Sequence, residues 1–209
     1  MKYIHPYKTR GNALAALDNG GRFYNLITQA NDGEISTAEL GRVAGLFNNR
    51  QKMVLYLEMS ICDLELESIS DIRSSLSEEL KQVYKKYQPQ VLLPSTAQNE
   101  GIISSNAIVT GIPRYVKSNS DFTGFIFIPI STGKVTTMVM VPLIDHYDVY
   151  ELRDEGRARE FLIAHARSSK KLPEESYRFG GVFKTLQKDE KDVSPSVTYL
   201  ETQYFTSVQ

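Results

Sequence analysis

The residues best equipped for chemistry gather in one short stretch, Asp145-His146-Tyr147-Asp148, with Glu151 just beyond. In an extended chain His146 and Asp148 share one face, and Asp145, Tyr147 and Glu151 share the other. An imidazole beside carboxylates can act as a general base or hold a metal ion, so His146 and Asp148 are the candidate metal ligands. The wider sequence gives them little support. The only other histidines are His5 and His165, and none stands in the HExxH spacing that brings two imidazoles to one zinc. There is no GxSxG element to seat a nucleophilic serine. The single cysteine, Cys62, lies beside an apolar helical stripe, where a thiol packs as a small hydrophobe. No catalytic residue is assigned and no cofactor is expected. The chain reads as a non-enzyme, with a metalloprotein or enzyme built on His146 and Asp148 as a third alternative.

A second resource is positive charge interleaved with aromatic rings. Arg114, Lys117, Arg167, Lys170, Lys171 and Arg178 are spread among Tyr115, Tyr147, Tyr150, Tyr177 and Phe179. Cations that track phosphates, next to rings that stack on bases, are the means by which single strands are held without sequence preference. Glu174, Glu175, Asp189, Glu190 and Asp192 lie nearby and dilute the field. Across the chain 24 Lys and Arg stand against 25 Asp and Glu, without the basic excess of a dedicated nucleic-acid binder.

Two further stretches imitate ligand loops. Thr28–Glu39 resembles the calcium loop of the EF-hand family, with Asp32-Gly33 at the turn and Glu39 last. That resemblance implies oxygen ligands at its first, third and fifth positions. Those positions are Thr28, Ala30 and Asp32, and alanine offers no side-chain oxygen. The bottom-up reading is a helix–turn–helix connection closed by a capping box between Ser36 and Glu39. Gly133-Lys134 carries the last pair of a phosphate loop, but Ile128 stands where the first glycine belongs and Val135 follows the lysine. It reads as a hairpin turn.

The elements that must position these residues divide the chain in two. Leu14, Leu17, Leu26 and Ile27 have helical spacing that Gly20-Gly21 interrupts, and Asn31-Asp32-Gly33 marks a turn. A helix follows Ser36 and stops by Asn48-Asn49. The apolar repeat Val54, Leu57, Ile61, Leu64 predicts a central helix over 51–67 with Lys52, Glu58 and Glu65 in water. Another is predicted over 70–87, ended by Lys85, Lys86 and Pro89. Residues 1–88 are thus a helical domain of four or five helices, and 89–101 has the composition of a linker.

Beyond it, β-prone runs at 102–112, 122–130, 135–144, 161–165, 179–186 and 197–205 alternate with polar turns; 154–160 is either a short helix or a loop. Helices first and strands second predict an α+β chain whose 102–209 part is a small OB-like β-barrel of five or six mostly antiparallel strands. Gly180-Gly181 is placed to bend a strand around a barrel corner. The run 122–148 holds two apolar strands joined by Ser131–Lys134. Both alternating sets of its second strand are largely apolar, so both faces need a cover: the barrel interior on one side, and the helical unit or a second subunit on the other. Chain length, with 41% hydrophobic and 23% charged residues, suits a globular fold. No apolar run reaches membrane-spanning length, no secretory leader is evident and cysteine is scarce, so a cytoplasmic protein is expected. The leading functional reading is a non-enzymatic binding or assembly module with a protein partner or a homo-oligomer. Single-stranded nucleic-acid binding by the barrel is the alternative.

Overall fold

The computed structural model describes residues 1–19, 31–115, 125–131, 136–142, 147–154, 160–166, 171–186 and 197–208. Elements run β1 (Lys2–Tyr3), α1 (Arg10–Leu17), α2 (Thr37–Ala44), α3 (Arg50–Ile61), α4 (Leu66–Ser74) and α5 (Glu78–Tyr87). They continue as β2 (Gln90–Leu92), α6 (Pro94–Glu100), β3 (Asn106–Tyr115), β4 (Phe125–Ser131) and β5 (Thr136–Pro142). The last are β6 (Tyr147–Arg153), β7 (Glu160–Ala166), β8 (Tyr177–Leu186) and β9 (Val197–Ser207). They form two compact units: a helical one over Tyr3–Pro89, and a β unit of Met1–Lys2 with Gln90–Gln209.

In the helical unit the local signals hold where they are chemically specific. Ser36 Oγ accepts from Glu39 N at 3.3 Å, and Ser36 N donates to the Glu39 carboxylate at 2.8 Å, closing the expected capping box. Gly45 ends α2 in the left-handed region, φ 71°, where a side chain would be strained. Asn49 is the N-cap of α3, accepting from Lys52 N. The turn before α2 is organised by Asp18, whose carboxylate accepts from Asn31 N at 2.9 Å and Gly33 N at 2.8 Å. Glu39 is buried in its cap and Asp32 accepts from Glu34 N, so the carboxylates of Asp32 and Glu39 in the EF-hand-like stretch serve the backbone. Thr28 and Ala30, like Gly20-Gly21, lie outside the described residues.

The long helices are shorter than their apolar repeats predict. The stretch 51–67 stops at Ile61, and 70–87 is two helices, because Ser77 accepts from Leu80 N and starts a new one. Ile35 and Leu76 form a β-bridge across the break. Helix α3 is nonetheless central: Met53, Val54, Leu55, Leu57, Met59 and Ile61 are all buried. Glu58, expected in water, is buried too, and is held by Arg73 of α4 through Nε at 3.1 Å and Nη2 at 2.6 Å. The Arg73 guanidinium lies 5.5 Å from the centre of the Tyr84 ring of α5, tying three helices together.

Burial, and the neighbouring Tyr56 hydroxyl, push the Tyr7 phenol from 10.0 up to about 12. Burial and the Glu58 carboxylate push Tyr84 up as well. These phenols are raised only in the fold, so their contribution is full below pH 10.0 and is lost as the unfolded chain ionises first. The helical unit is therefore expected to lose stability between pH 10.0 and about 12, read by chemical denaturation followed by far-UV circular dichroism across that range. A flat profile there would contradict the buried environment of Tyr7.

The β unit is a closed barrel. Strand β3 pairs with β6, β6 with β7, β7 with β9, β9 with β8, and β8 returns to β3. Every pairing is antiparallel except β7 with β9. Numbered in chain order the five strands close as 1-2-3-5-4-1, the Greek-key order of an OB barrel. The expected α+β, OB-like fold is the observed one. Its interior is filled by rings: Phe161 against Phe183 edge-on at 5.8 Å, and Phe179 stacked on Phe205 at 6.5 Å. The register slips between Gly180 and Gly181, a bulge at the corner expected there. A Cβ on Gly181 would lie 2.4 Å from the Glu201 carbonyl oxygen, so only glycine lets β9 approach this closely.

Two expectations change. Residues 89–101 are not a bare linker: they carry β2, parallel to β3, and α6, begun by Pro94 at its first turn and packing Ala97 into the barrel core. The apolar run 122–148 is not a pair of barrel strands. Strands β4 and β5 form their own antiparallel ribbon, in register from Phe125↔Pro142 to Ser131↔Thr136, inserted between the first and second barrel strands. The second strand is instead β6, whose alternation (Asp148, Tyr150, Leu152 inward; Val149, Glu151, Arg153 outward) is hidden by its polar residues. Residues 155–159 lie outside the described residues. No helix among the described residues is long and apolar enough to cross a membrane.

Candidate functional site

The barrel mouth formed by the end of β3 and the start of β6 holds a cluster of Asp148, Lys171, Tyr115 and Tyr150. Asp148 begins the inward row of β6 and is 1% exposed, which is unusual for a carboxylate. Its Oδ1 accepts a hydrogen bond from Lys171 Nζ, on the segment leading into β8. The lysine side chain is 44% exposed, so the pair reaches from the barrel interior to solvent. The ammonium also lies 3.9 Å from the centroid of Tyr115, the last residue of β3. Tyr115 meets Tyr150 edge-on at 5.4 Å, and Tyr150 Oη accepts from Leu172 N at 3.2 Å.

Each part follows from local structure. Asp148, Tyr150 and Leu152 share the inward face because side chains alternate along a strand. Tyr115 is drawn beside Tyr150 because the register pairs them directly across β3 and β6. The electrostatics follow from burial. Partial desolvation works to lower the Lys171 pKa, but hydrogen bonds and charge from Asp148 and Tyr115 outweigh it and leave the amine raised. Burial is the main cause of the raised Tyr150 phenol. The amine stays protonated and is a poor nucleophile, and the carboxylate is already bonded. The cluster therefore fastens the segment before β8 across the barrel mouth.

The outer surface is different. Arg114 of β3 faces Glu151 of β6 in register, and its Nε and Nη2 both reach Glu151 Oε2, the former at 3.1 Å. Lys184 of β8 reaches diagonally to Glu201 of β9 at 3.9 Å. Arg178 lies on β8 between Thr110 and Thr206 and is half-buried. The outward rows of β6 and β7, the face on which OB barrels take ligands, include Val149, Glu151, Arg153 and Leu162, while Ala164 on the same row is buried. Those four half-buried residues are two apolar side chains and two opposite charges.

The structure thus brings together Asp148 and Lys171, which the sequence placed in separate candidate sets, and joins them through Tyr115 and Tyr150. It sets Arg114 apart on the outer wall. His146, Lys117, Arg167 and Lys170 lie outside the described residues. Among the described residues no group of three or more His, Cys, Asp or Glu could hold a metal ion. Glu151 as the partner of Arg114 was readable only from the pairing of β3 with β6, which no local pattern announces.

No protein-family model matches the chain, and no curated protein matches it. Among solved structures it is similar to the N-terminal domain of an archaeal MCM, with TM-score 0.39 and 12% sequence identity, over 96% of this chain and 100% of that one. The likeness is loose, and the fold assignment stands on the strand order.

Proposed function

We propose that the chain is a non-enzymatic assembly module, in which the OB-type barrel carries an apolar hairpin that docks on a protein surface, most simply a second copy of the chain. One observation carries this reading. Strands β4 and β5 pair only with each other among the described residues, as a two-stranded sheet in the first long loop of the barrel. The register separates their residues into two alternating sets. Phe125, Phe127, Pro129, Met138, Met140 and Pro142 make one with Ser131 and Thr136 at its end, and Ile126, Ile128, Ile130, Val139 and Val141 make the other with Thr137. A two-stranded ribbon is marginal in water; β4 lies partly beside β8 of the barrel, and the remainder of the ribbon's apolar surface needs a cover. Light scattering of the purified chain is expected to give a mass above 23.6 kDa that rises with concentration. A strict monomer would remove self-association.

A second reading rests on the OB strand order itself, since such barrels bind single strands. It uses Arg114, Lys117, Arg167, Lys170, Lys171 and Arg178 as phosphate contacts. Two of these, Arg114 and Lys171, already hold carboxylates, which lowers the field they offer. A fluorescent oligonucleotide is expected to bind only at low salt on this reading, where the phosphate contribution is largest. No binding at low salt would reject it. A metal site at His146 and Asp148 is the least supported reading, because Lys171 already bonds the Asp148 carboxylate.

A further inference from the structure

The helical unit has a pocket of about 230 Å³ between the start of α3 and one face of α5, lined by Arg50, Glu79, Gln82, Val83, Lys86 and Tyr87. Residues 79, 82, 83 and 86 recur at helical spacing, so α5 supplies one continuous wall. Val83 is 6% exposed, and the other lining side chains carry charged, amide or phenol ends. Arg50 Nη2 donates to Glu79 Oε1 at 2.9 Å, from side chains 55% and 59% exposed. Lys86 Nζ lies 5.1 Å from the centre of the Tyr87 ring. Two cations and one carboxylate therefore face a concave space that has a ring on its rim and an amide in its wall.

Size decides what class of ligand the pocket takes. Drug-sized molecules need about 300–1,000 Å³, so this volume suits a small head group. Two cations against one carboxylate select an anion, and a guanidinium fork matches the oxygens of phosphate in a planar, two-bond contact. We propose that this pocket binds a phosphate group, free or as a phosphomonoester, between Arg50 and Lys86. Glu79 is the built-in competitor: it occupies the guanidinium until the ligand displaces it. An exposed Arg–Glu pair is worth little on its own, so the exchange is open to a doubly charged ligand. The Tyr87 ring flanks whatever the phosphate is attached to.

Titration of the full chain with inorganic phosphate, followed by amide NMR shifts at constant ionic strength, tests this. Shifts are expected at Arg50, Gln82 and Lys86, with weak binding. Glu79→Gln frees the guanidinium and is expected to tighten phosphate binding by about fivefold, whereas Arg50→Gln weakens it by about tenfold. These directions are opposite, and a general loss of structure would not produce them. Adenosine monophosphate distinguishes the two sources: tighter binding than inorganic phosphate, lost in Tyr87→Leu, identifies a phosphomonoester, and equal binding identifies the free ion. The proposal is overturned if phosphate shifts no pocket residue beyond a chloride control, or if Glu79→Gln leaves affinity unchanged or weaker.

Discussion

Replacing Lys171 with methionine is expected to destabilise the β unit by about 2 kcal/mol, within the range of a hydrogen bond to a charged group. Asp148 is 1% exposed and Lys171 Nζ bonds its Oδ1, so removing the amine takes one charge-assisted hydrogen bond from a carboxylate inside the barrel mouth. Methionine keeps the stem volume and removes only the charge. The loss stays moderate because the lysine is 44% exposed, which lets water take part of its place. The double variant Lys171→Met with Asp148→Asn has no buried charge and should recover most of the loss, and the coupling between the two sites is read from the four-member cycle. Denaturant unfolding of all four proteins supplies the numbers. A shift below about 0.5 kcal/mol in the single variant, the size of an ordinary surface change, would mean that Asp148 is not confined as described.

The same pair shows what the sequence could and could not convey. Where chemistry is local, it was legible. The Ser36–Glu39 capping box, the central burial of α3 and the Gly180-Gly181 corner all follow from spacing or residue type. Where it depends on pairing, it was not. The barrel was anticipated from partly wrong strands: the most apolar runs were assigned to it, yet β4 and β5 lie outside it, and β6 was missed. Strand β6 reads as polar because its inward row starts with Asp148, a carboxylate that Lys171 reaches from 23 positions away. No window of sequence contains that contact. Glu58 was misplaced for the same reason, since its burial depends on Arg73 in another helix. The break between α4 and α5 was overlooked because it is made by a serine cap, without a glycine or proline to mark it.

The central claim is that the β4–β5 hairpin is an assembly surface, and it implies a large effect from a small change. Ile128 and Val139 face each other in register at the middle of the ribbon. Substituting Ile128→Glu together with Val139→Lys places opposite charges across the strands, a pairing that sustains the hairpin itself. It also puts two charges into any docked surface, where each loses its water with nothing on the facing side to replace it. A loss of about 3 kcal/mol of association energy is expected, more than a hundredfold in dissociation constant. The barrel core is untouched, so far-UV circular dichroism should match that of the parent chain. Light scattering of the two proteins over the same concentration series is the most direct measurement. The account predicts a parent that associates and a charged variant that stays at 23.6 kDa. A parent that is itself monomeric throughout, or a folded variant that associates as well as its parent, would contradict it.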